Sequence, residues 1–249
     1  MSIPALITLT TDFGTRDPYV AQMKGVIRRH CPGVVLEDLS HDIPAQELMA
    51  VALFLEAAVP RFPSETILLV VVDPGVGAAR LPVAIRAGGQ WIIGPDNGIT
   101  TLLLKQTPLE KAYAISTCPL LPPAISHTFH GRDIFSPAVA WLALGEPAEA
   151  LGPEVAALQR LPFPDYTTGA DGSIFGEVVH IDHFGNCITN IPALSGVFNA
   201  NAGYKVLVAG VPQALPVLRT YAEVPEGSPT ALFGSSGRLE IAVRNGSAR

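Results

Sequence analysis

A continuous apolar segment, residues 66–72, constrains the fold more than any other feature of the sequence. It has the length of a strand and lacks the polar–apolar alternation of a strand with one solvent-exposed face. Such a run is typical of a strand buried on both faces of a parallel sheet. It leads directly into the polar, glycine-containing loop of residues 73–77. The sequence therefore predicts an internal parallel strand whose carboxyl end opens into a polar loop.

Strands, polar loops and helices alternate along the first 160 residues. The predicted strands cover residues 5–10, 34–39, 66–72, 82–86 and 90–93, and the predicted helices cover residues 19–30, 45–58, 99–105 and 133–143. Gly88 and Gly89 lie between the last two strands, which is typical of a hairpin. This alternation predicts an α/β domain with a largely parallel sheet.

The pattern changes near residue 160. Proline, glycine and polar residues accumulate over residues 161–173, as in a linker. Short strands are then predicted at residues 176–181, 202–208, 229–233 and 239–243, with turn residues between them and no clear helix. These features indicate a small all-β barrel or sandwich. The predicted organisation is an N-terminal α/β domain at 1–163, a linker at 164–173 and a C-terminal β-barrel domain at 174–249.

Composition narrows the classes of partner. Hydrophobic residues make up 48% of the 249 residues and charged residues 15%, which argues for a compact globular protein, argues against disorder and favours buried subunit contacts. The net charge is −6 and no run of Lys and Arg is present, so neither nucleic acid nor an anionic membrane is an expected partner. Cys31, Cys118 and Cys187 have no CxxC spacing, and no signal peptide is evident. We expect reduced thiols and a cytoplasmic location.

Three polar loops fall where an open α/β sheet binds its ligands, beyond the carboxyl ends of strands. They contain Asp12, Asp73 with Arg80, and His130. Singly, each has an ordinary explanation: an aspartate can form a turn, a histidine can be hydrogen-bonded in a core, and an arginine can be solvated. An acid, a base and a cation gathered at one sheet edge predict a small-molecule site.

Several other chemistries are disfavoured. The chain has no GxGxxG, no GxxxxGK[ST] and no GxSxG motif, which argues against dinucleotide binding, Walker-type nucleotide binding and an α/β-hydrolase nucleophile. His127 and His130 are three residues apart and could ligate a metal, but Gly131 and the loop context argue against a rigid ligand pair. No metal is expected.

A second polar cluster spans residues 180–186 of the C-terminal part. It is either a polar strand-to-turn transition or part of a ligand site. In the second interpretation, Asp182 suits an ammonium group, Phe184 offers an aromatic face and Asn186 offers an amide. An amide both donates and accepts hydrogen bonds, as the edge of adenine requires.

These residues lie in stretches that resemble one known family. The stretches, in chain order, are LTTDFGTRDPYVAQMKGVI, VVDPGVGAAR, IIGPDNGITTLL, TFHGRDIFSPAVAWLALG, IDHFGNCITNI and GSSGRLEIAVRNGSA. Together they span nearly the whole chain. They resemble the hydroxide adenosyltransferases that act on S-adenosyl-L-methionine (SAM), which are relatives of the fluorinating and chlorinating SAM enzymes.

The resemblance implies a fold, an assembly and a substrate. It implies an N-terminal α/β domain, a C-terminal β-barrel and a homotrimer whose sites each combine the N-terminal domain of one subunit with the C-terminal domain of the next. SAM is the implied substrate, with water the second reactant and adenosine and L-methionine the products. Neither a metal nor a redox cofactor is implied.

The resemblance also assigns site residues. The implied catalytic residues, which activate water, are Asp73, Arg80 and His130. The implied substrate-binding residues are Asp12 for the ribose diol, Asp17 and Asp182 near the methionine end, Asn186 and Tyr221 at adenine, and Ser236, Glu240, Val243 and Arg244 lining the pocket.

The implied reaction makes activation of water the difficult step. Methionine leaves C5′ as a neutral thioether and needs no acid, whereas water must lose a proton, which Asp73 or His130 could accept while Arg80 orients the carboxylate.

A SAM-dependent halide adenosyltransferase is the first alternative. An ionised Asp73 about 4 Å from a halide would repel it by roughly 4 kcal/mol at an effective dielectric constant of 20, which favours water. Gly131 also leaves a position without the hydroxyl of the serine in the fluorinating relatives.

Two alternatives are not hydrolases or halide enzymes. The chain could be a SAM- or adenosine-binding regulator with little turnover, which would bind tightly and release no methionine. It could also be a general nucleotide-binding or assembly protein, in which substitution of Asp73 would change stability and not turnover.

Overall fold

The computed structural model describes residues 5–193 and 203–249. The chain forms two compact units, Met1–Leu161 and Pro162–Arg249. Each unit is described by itself below. The domain boundaries drawn from the sequence stay a prediction.

A six-stranded mixed sheet forms the centre of the N-terminal unit. Its strands are β1 (Leu6–Thr11), β2 (Val35–Ser40), β3 (Ile67–Val71), β4 (Pro82–Ala87), β5 (Gln90–Pro95) and β6 (Leu109–Ala114), in the order β2-β1-β3-β5-β4-β6. The first three and β5 are parallel, whereas β4 is antiparallel to both β5 and β6. The parallel part matches the prediction, and β6 adds an antiparallel edge that the sequence pattern did not predict.

The helices of this unit begin close to, but not always at, the predicted positions. They are α1 (Tyr19–His30), α2 (Leu48–Ala58), α3 (Leu103–Gln106) and α4 (Ser136–Ala143), with 3₁₀ turns at Val59–Arg61 and Ala148–Leu151 and a π turn at Gly131–Phe135. Helix α2 begins three residues later than predicted, because Gln46 has a left-handed backbone with φ 65°. The helix predicted at 133–143 begins as the π turn, which leads directly into α4.

Strand β3 is buried along its whole length, as predicted. One face of the strand packs with Leu9 of β1, Met23 of α1 and Phe135 of the π turn. The other face packs with Leu55 of α2 in a second core cluster. Helices therefore cover both faces of the parallel strands, so the carboxyl edge of the sheet is where polar loops emerge.

Strands are the main regular elements of the C-terminal unit. They are β7 (Thr167–Thr168), β8 (Ile174–Phe175), β9 (Val178–Ile181), β10 (Cys187–Pro192), β11 (Lys205–Val206), β12 (Leu215–Leu218), β13 (Pro229–Phe233) and β14 (Arg238–Val243), with a 3₁₀ turn at Tyr221–Glu223. Strands β7 and β8 form a small hairpin, so the segment predicted as a linker contributes a strand. The larger sheet has the order β11-β12-β13-β14-β10-β9.

The larger sheet is mainly antiparallel, with one parallel pair, β12 and β13. Over residues 162–193 and 203–249, no pairing between the end strands β9 and β11 closes it, so the barrel stays a prediction. The strand predicted at 202–208 corresponds to β11, and Ala202 lies outside the described residues. Ile191, Ala231 and Leu239 form the buried centre of this unit.

Two general features follow from the described residues. No helix among them combines the length and apolar character needed to cross a membrane. The three cysteines are buried free thiols, and burial raises the pKa of each above its usual value.

Candidate active site

The carboxyl ends of β1, β3 and β5 meet at one edge of the N-terminal sheet. Thr11 at the end of β1 lies opposite Val71 at the end of β3, and Asp12 and Asp73 follow within two residues. Asn97, just beyond β5, donates from its side-chain Nδ2 to the carbonyl oxygen of Val72 at 3.0 Å. The parallel pairing therefore brings the predicted polar loops to one place.

Arg80 joins Asp73 and His130 into one hydrogen-bonded group. Its Nε donates to Asp73 Oδ1 at 2.9 Å and its Nη2 donates to Asp73 Oδ2. The same Nη2 lies 2.7 Å from His130 Nδ1. The side chains of Arg80 and Asp73 are only 9% and 5% exposed, so this two-point ion pair is shielded from water. The structure thus brings together the three residues predicted to be catalytic.

The loop of residues 73–80 is folded so that its two ends meet. Successive turns bond Val76 N to the Asp73 carbonyl oxygen at 3.2 Å and Ala78 N to the Gly75 carbonyl oxygen at 3.0 Å. Gly77 has φ 79°, and a Cβ there would lie 2.7 Å from the backbone oxygen of His127. Glycine is therefore required where this loop passes the loop that carries His130.

Packing and hydrogen bonds fix the loop on the His130 side. The ring of Phe135 lies 5.4 Å from Arg80 Cζ, a cation–π contact beneath the guanidinium. Asp133 is buried and accepts from Ser126 N at 2.8 Å and from Arg132 Nε at 2.6 Å. These contacts hold the residues on both sides of His130, so the imidazole faces Arg80 from a supported backbone.

The contact with Arg80 defines the protonation of His130. A guanidinium can only donate hydrogen bonds, so Nδ1 of His130 is the acceptor and the neutral ring carries its proton on Nε2. Burial, followed by repulsion from Arg80, lowers the pKa of His130 below its usual value of 6.5. His130 is therefore neutral near pH 7.

Asp12 is held by the segment that follows β2. Its Oδ2 accepts the backbone N–H of Gln46 at 2.9 Å. Its side chain is partly exposed at the carboxyl edge of the sheet, where a ligand could reach it. Asp17 lies further along the same loop and is exposed just before α1.

The C-terminal unit contains a pocket of about 670 Å³. The residues predicted for substrate binding that line it are Asp182, Asn186, Tyr221, Glu240, Val243 and Arg244, together with Phe184. Ser235 also lines it, and the predicted Ser236 is the next, exposed residue in the turn between β13 and β14. The size and mixed lining suit a small molecule.

Two hydrogen-bonded pairs shape the pocket. Asp182 Oδ1 accepts the backbone N–H groups of Phe184 at 2.9 Å and Asn186 at 2.8 Å, and its Oδ2 accepts Asn186 Nδ2 at 2.9 Å. This carboxylate therefore orients the Asn186 amide. Tyr221 donates its hydroxyl to Glu240 Oε1. Burial, opposed in part by that hydrogen bond, raises the pKa of Glu240, and burial together with Glu240 raises the pKa of Tyr221.

Comparison with known proteins places the chain in a family. The profile of the SAM hydroxide adenosyltransferase N-terminal domain matches residues 7–152, and that of the C-terminal domain matches residues 176–249. The chain belongs to the SAM hydroxide adenosyltransferase family. The family resemblance drawn from the sequence motifs is confirmed.

Similar proteins include some named as SAM hydrolases and some named as fluorinases. A Thermus thermophilus protein named (R)-S-adenosyl-L-methionine hydrolase is 45% identical, covering 96% of this chain and 92% of the relative. A protein of the same name from Salinispora arenicola is 37% identical over 97% of this chain and 91% of its own length. A fluorinase from an Actinoplanes species is 29% identical over 95% and 90%.

Two solved structures share this fold. The crystal structure of an uncharacterized conserved protein from Thermotoga maritima has a TM-score of 0.89 and 31% identity, covering 98% of this chain and 94% of that one. The crystal structure of a conserved hypothetical protein from Thermus thermophilus has a TM-score of 0.81 and 43% identity over the same shares.

Metal ligation has little support from side-chain positions. Among residues 5–193 and 203–249, no three His, Cys, Asp or Glu side chains are grouped so that they could hold a metal ion. His127 is exposed, and Nδ1 of His130 is already bonded to Arg80.

Two residues beside the site were not predicted. Gln46 contributes a backbone N–H from a left-handed conformation, for which its side chain gives no signal. His41 follows the carboxyl end of β2 and contacts Thr11, the residue before Asp12. The rule that polar residues after parallel strands form the site would have found His41, because β2 lies beside β1 in the same sheet.

Proposed function

We propose that this chain, as a member of the family, hydrolyses SAM to adenosine and L-methionine by attack of water at C5′. The observation that carries the proposal is the shielded group formed by Asp73, Arg80 and His130. It supplies a carboxylate acceptor beside a cation and a neutral imidazole. The curated names of relatives that are 45% and 37% identical to this chain support the same reaction.

The chemistry of SAM explains why such a group is needed. The sulfonium makes methionine a good leaving group, because cleavage of the C5′–S bond gives a neutral thioether and requires no proton. Water is a poor nucleophile until it loses a proton. The enzyme's contribution is therefore to align water with C5′ and accept that proton, which is worth roughly 10²–10⁴-fold for the proton transfer alone.

The hydrogen-bond directions select the proton acceptor. His130 Nδ1 is engaged by Arg80, and Nε2 carries the ring proton, so the neutral imidazole can donate to a water oxygen but cannot accept. Each oxygen of Asp73 accepts one bond from Arg80 and keeps a second lone pair. In this proposal Asp73 accepts the proton of water, His130 Nε2–H orients the nucleophile and Arg80 stabilises the developing hydroxide.

The remaining predicted residues are assigned to SAM itself. Asp12 holds the ribose diol, because a carboxylate can accept from two hydroxyls. Asn186 recognises the edge of adenine and Tyr221 packs against its face. Asp17 and Asp182 serve the methionine end. Ser236, Glu240, Val243 and Arg244 complete the pocket, in which Glu240 also orients Tyr221.

Several further properties extend the proposal. The assembly and the absence of a metal or redox cofactor rest on the family resemblance, whereas the boundaries, the location and the excluded partners rest on composition and sequence pattern. We propose a homotrimer whose sites combine the N-terminal domain of one subunit with the C-terminal β-barrel of the next, with boundaries at 1–163, 164–173 and 174–249. We also propose a cytoplasmic enzyme that needs neither a metal nor a redox cofactor and has no nucleic-acid or membrane partner.

Halide transfer is the competing reaction, since fluorinases are among the relatives. Repulsion of a halide by Asp73 is weaker than for a lone carboxylate, because Arg80 offsets the charge. The oxygens of Asp73 are nevertheless acceptors, and a halide needs donors around it. This difference favours water.

Oxygen labelling tests the proposal directly. Purified protein is incubated with SAM in oxygen-18 water, with and without chloride, and the nucleoside products are analysed by mass spectrometry. We expect one labelled oxygen at C5′ of adenosine. A chlorinated nucleoside would support halide transfer instead, and tight SAM binding without methionine release would support a regulator.

A further inference from the structure

Asp12 is connected on both sides to the segment that follows β2, which has no part in the mechanism above. Gln46 N donates to Asp12 Oδ2 at 2.9 Å, and Gly14 N donates to the carbonyl oxygen of His41 at 2.8 Å. Thr11 Oγ1, one residue before Asp12, lies 2.8 Å from His41 Nδ1. His41 therefore contacts the chain both before and after Asp12.

His41 is buried and has a charged neighbour on its other side. His41 is 5% exposed, and its Nε2 lies 3.0 Å from Asp38 Oδ1 without forming a hydrogen bond of acceptable geometry. Lys24 Nζ lies 2.6 Å from Asp38 Oδ2. Partial burial raises the pKa of Asp38, but the hydrogen bond from Lys24 and the closeness of His41 outweigh that effect, so the pKa lies below its usual value. An ionised Asp38 favours the His41 tautomer with its proton on Nε2.

That tautomer gives the contacts a single direction. With Nε2 protonated, Nδ1 is the acceptor and Thr11 donates its hydroxyl. The Thr11 oxygen then accepts the N–H of Phe13 at 3.3 Å. The backbone before and after Asp12 is thus fixed by one relay that begins at the buried imidazole.

We propose that His41 is a positioning residue that aims the Asp12 carboxylate at the ribose diol of SAM. The inference rests on the proposed function, because it requires Asp12 to bind the diol. His41 itself touches neither substrate nor water in this assignment. It acts through Thr11, Phe13 and Gly14, which determine the direction of the intervening side chain.

The experiment combines matched variants with matched substrates. His41→Leu keeps the bulk of the side chain and removes its hydrogen bonds, His41→Asn keeps an amide that can accept from Thr11, and Thr11→Val removes only the hydroxyl. Each is assayed with SAM and with 2′-deoxy-SAM. We expect His41→Leu and Thr11→Val to raise KM for SAM about five- to tenfold, the effect of one lost buried hydrogen bond, with kcat within about twofold.

Rescue and substrate dependence separate positioning from a merely structural role. His41→Asn should recover most of the KM, and combining His41→Leu with Thr11→Val should add little, since both break the same contact. The increase in KM should fall below about twofold with 2′-deoxy-SAM, because one diol contact is already missing. If His41→Leu does not fold, Thr11→Val supplies the same comparison.

An equal loss with both substrates would overturn the inference, since His41 would then act on the fold as a whole. Asp12→Ala distinguishes that result from failure of the proposed function. If Asp12→Ala raises KM more for SAM than for 2′-deoxy-SAM and His41→Leu does not, only the role of His41 is wrong. If Asp12→Ala also raises KM equally for the two substrates, the assignment of Asp12 to the ribose is wrong, and so is the inference about His41.

Discussion

Arg80 is the residue on which the geometry of the candidate site depends most. It donates to both oxygens of Asp73 and to Nδ1 of His130, and its guanidinium lies over the ring of Phe135. Lysine has three donors on a compact ammonium and cannot reproduce a planar two-point contact. The direction of every hydrogen bond in the group follows from the fact that arginine never accepts one.

The first prediction concerns Asp73. Asp73→Asn keeps the size of the side chain but removes the proton acceptor, so we expect kcat to fall by about 10²–10⁴-fold while KM changes by a few-fold at most. Steady-state release of adenosine measures both constants. Asp165→Asn, at an exposed aspartate, is the control. Wild-type turnover of Asp73→Asn in a folded protein would eliminate this role.

The second prediction concerns pH. Because the pKa of His130 is lowered from 6.5, the free enzyme keeps a neutral imidazole until the pH falls below that value. Protonation then places a cation against Arg80. We expect kcat/KM to decline on the acid side only below pH 6.5. An acid limb centred above pH 6.5 would contradict the assignment.

Stability should show the same titration. The unfolded chain binds a proton at His130 near pH 6.5 and the folded chain only at lower pH, so stability rises with pH between the lowered pKa and 6.5. His130→Asn should lose this increment, which melting temperatures measured across that range would detect.

The position of a residue at the site can be predicted from the sequence where its side chain follows a strand, but not where it contributes a backbone group. Asp73 and Asp12 follow buried strands, so their position at the same edge of the sheet is expected from parallel pairing. Gln46 contributes an N–H group from a left-handed backbone conformation, which no pattern of side chains predicts. Phe135 would be assigned to the core from its type, and its contact with Arg80 follows only from the fold.

At the scale of elements, close strand pairing places the site loops. Gly94 of β5 lies against β3, and a Cβ there would clash with the backbone oxygen of Val70. The contact cannot relax by side-chain motion, because the obstacle is the partner strand. The pairing of β3 with β5 therefore depends on glycine at this position.

The third prediction compares two glycines. We expect Gly94→Ala to destabilise the fold by about 3 kcal/mol or more, through overpacking against backbone. Gly25 lies on the exposed side of α1 and has nothing within 4 Å of an added Cβ, so Gly25→Ala should gain about 0.5–1 kcal/mol from helix propensity. Urea unfolding of both variants measures the contrast. Equal effects would show that backbone approach at Gly94 is not the cause.

Elements with strong patterns were predicted well and those with polar interiors were not. The sequence predicts α1 and β13 at their observed bounds. Strand β10 was not predicted, because the polar residues Thr189 and Asn190 lie inside it, although both are buried. Asn190 is stabilised there by donating to Pro164 O at 3.0 Å and accepting from Glu177 N at 2.9 Å. The pattern of nearby residues cannot predict a buried polar residue whose hydrogen-bond partners lie far away in the sequence.

At the scale of the whole molecule, the family matches cover both units, and the composition of the surface bears on the proposed assembly. Few charged residues are available to cover the surface, and large apolar side chains are exposed on the C-terminal unit, among them Phe175 at 61% and Phe184 at 75%. Exposed aromatic side chains favour contact with another subunit. No sequence pattern gives the number of subunits, because that depends on surface geometry.

The fourth prediction follows for the assembly. Sedimentation equilibrium should give a particle of three 26.2 kDa chains, and Phe184→Ser should shift it toward smaller species. Ser173→Ala, at a partly exposed polar position of the same unit, should leave the mass unchanged. A monomeric wild-type enzyme with full turnover would exclude the trimer as a requirement.

The π turn at Gly131–Phe135 has a consequence for how sequences of this kind can diverge. A π turn holds one more residue than an α turn, and each residue of an α-helix advances the chain by about 100° around its axis. Deleting one residue here would restore a regular helix and swing the imidazole away from its guanidinium partner. We therefore expect insertions and deletions in related chains to be absent between Phe129 and Ser136, although substitutions can occur around this segment. The number of residues here should vary less than their identity.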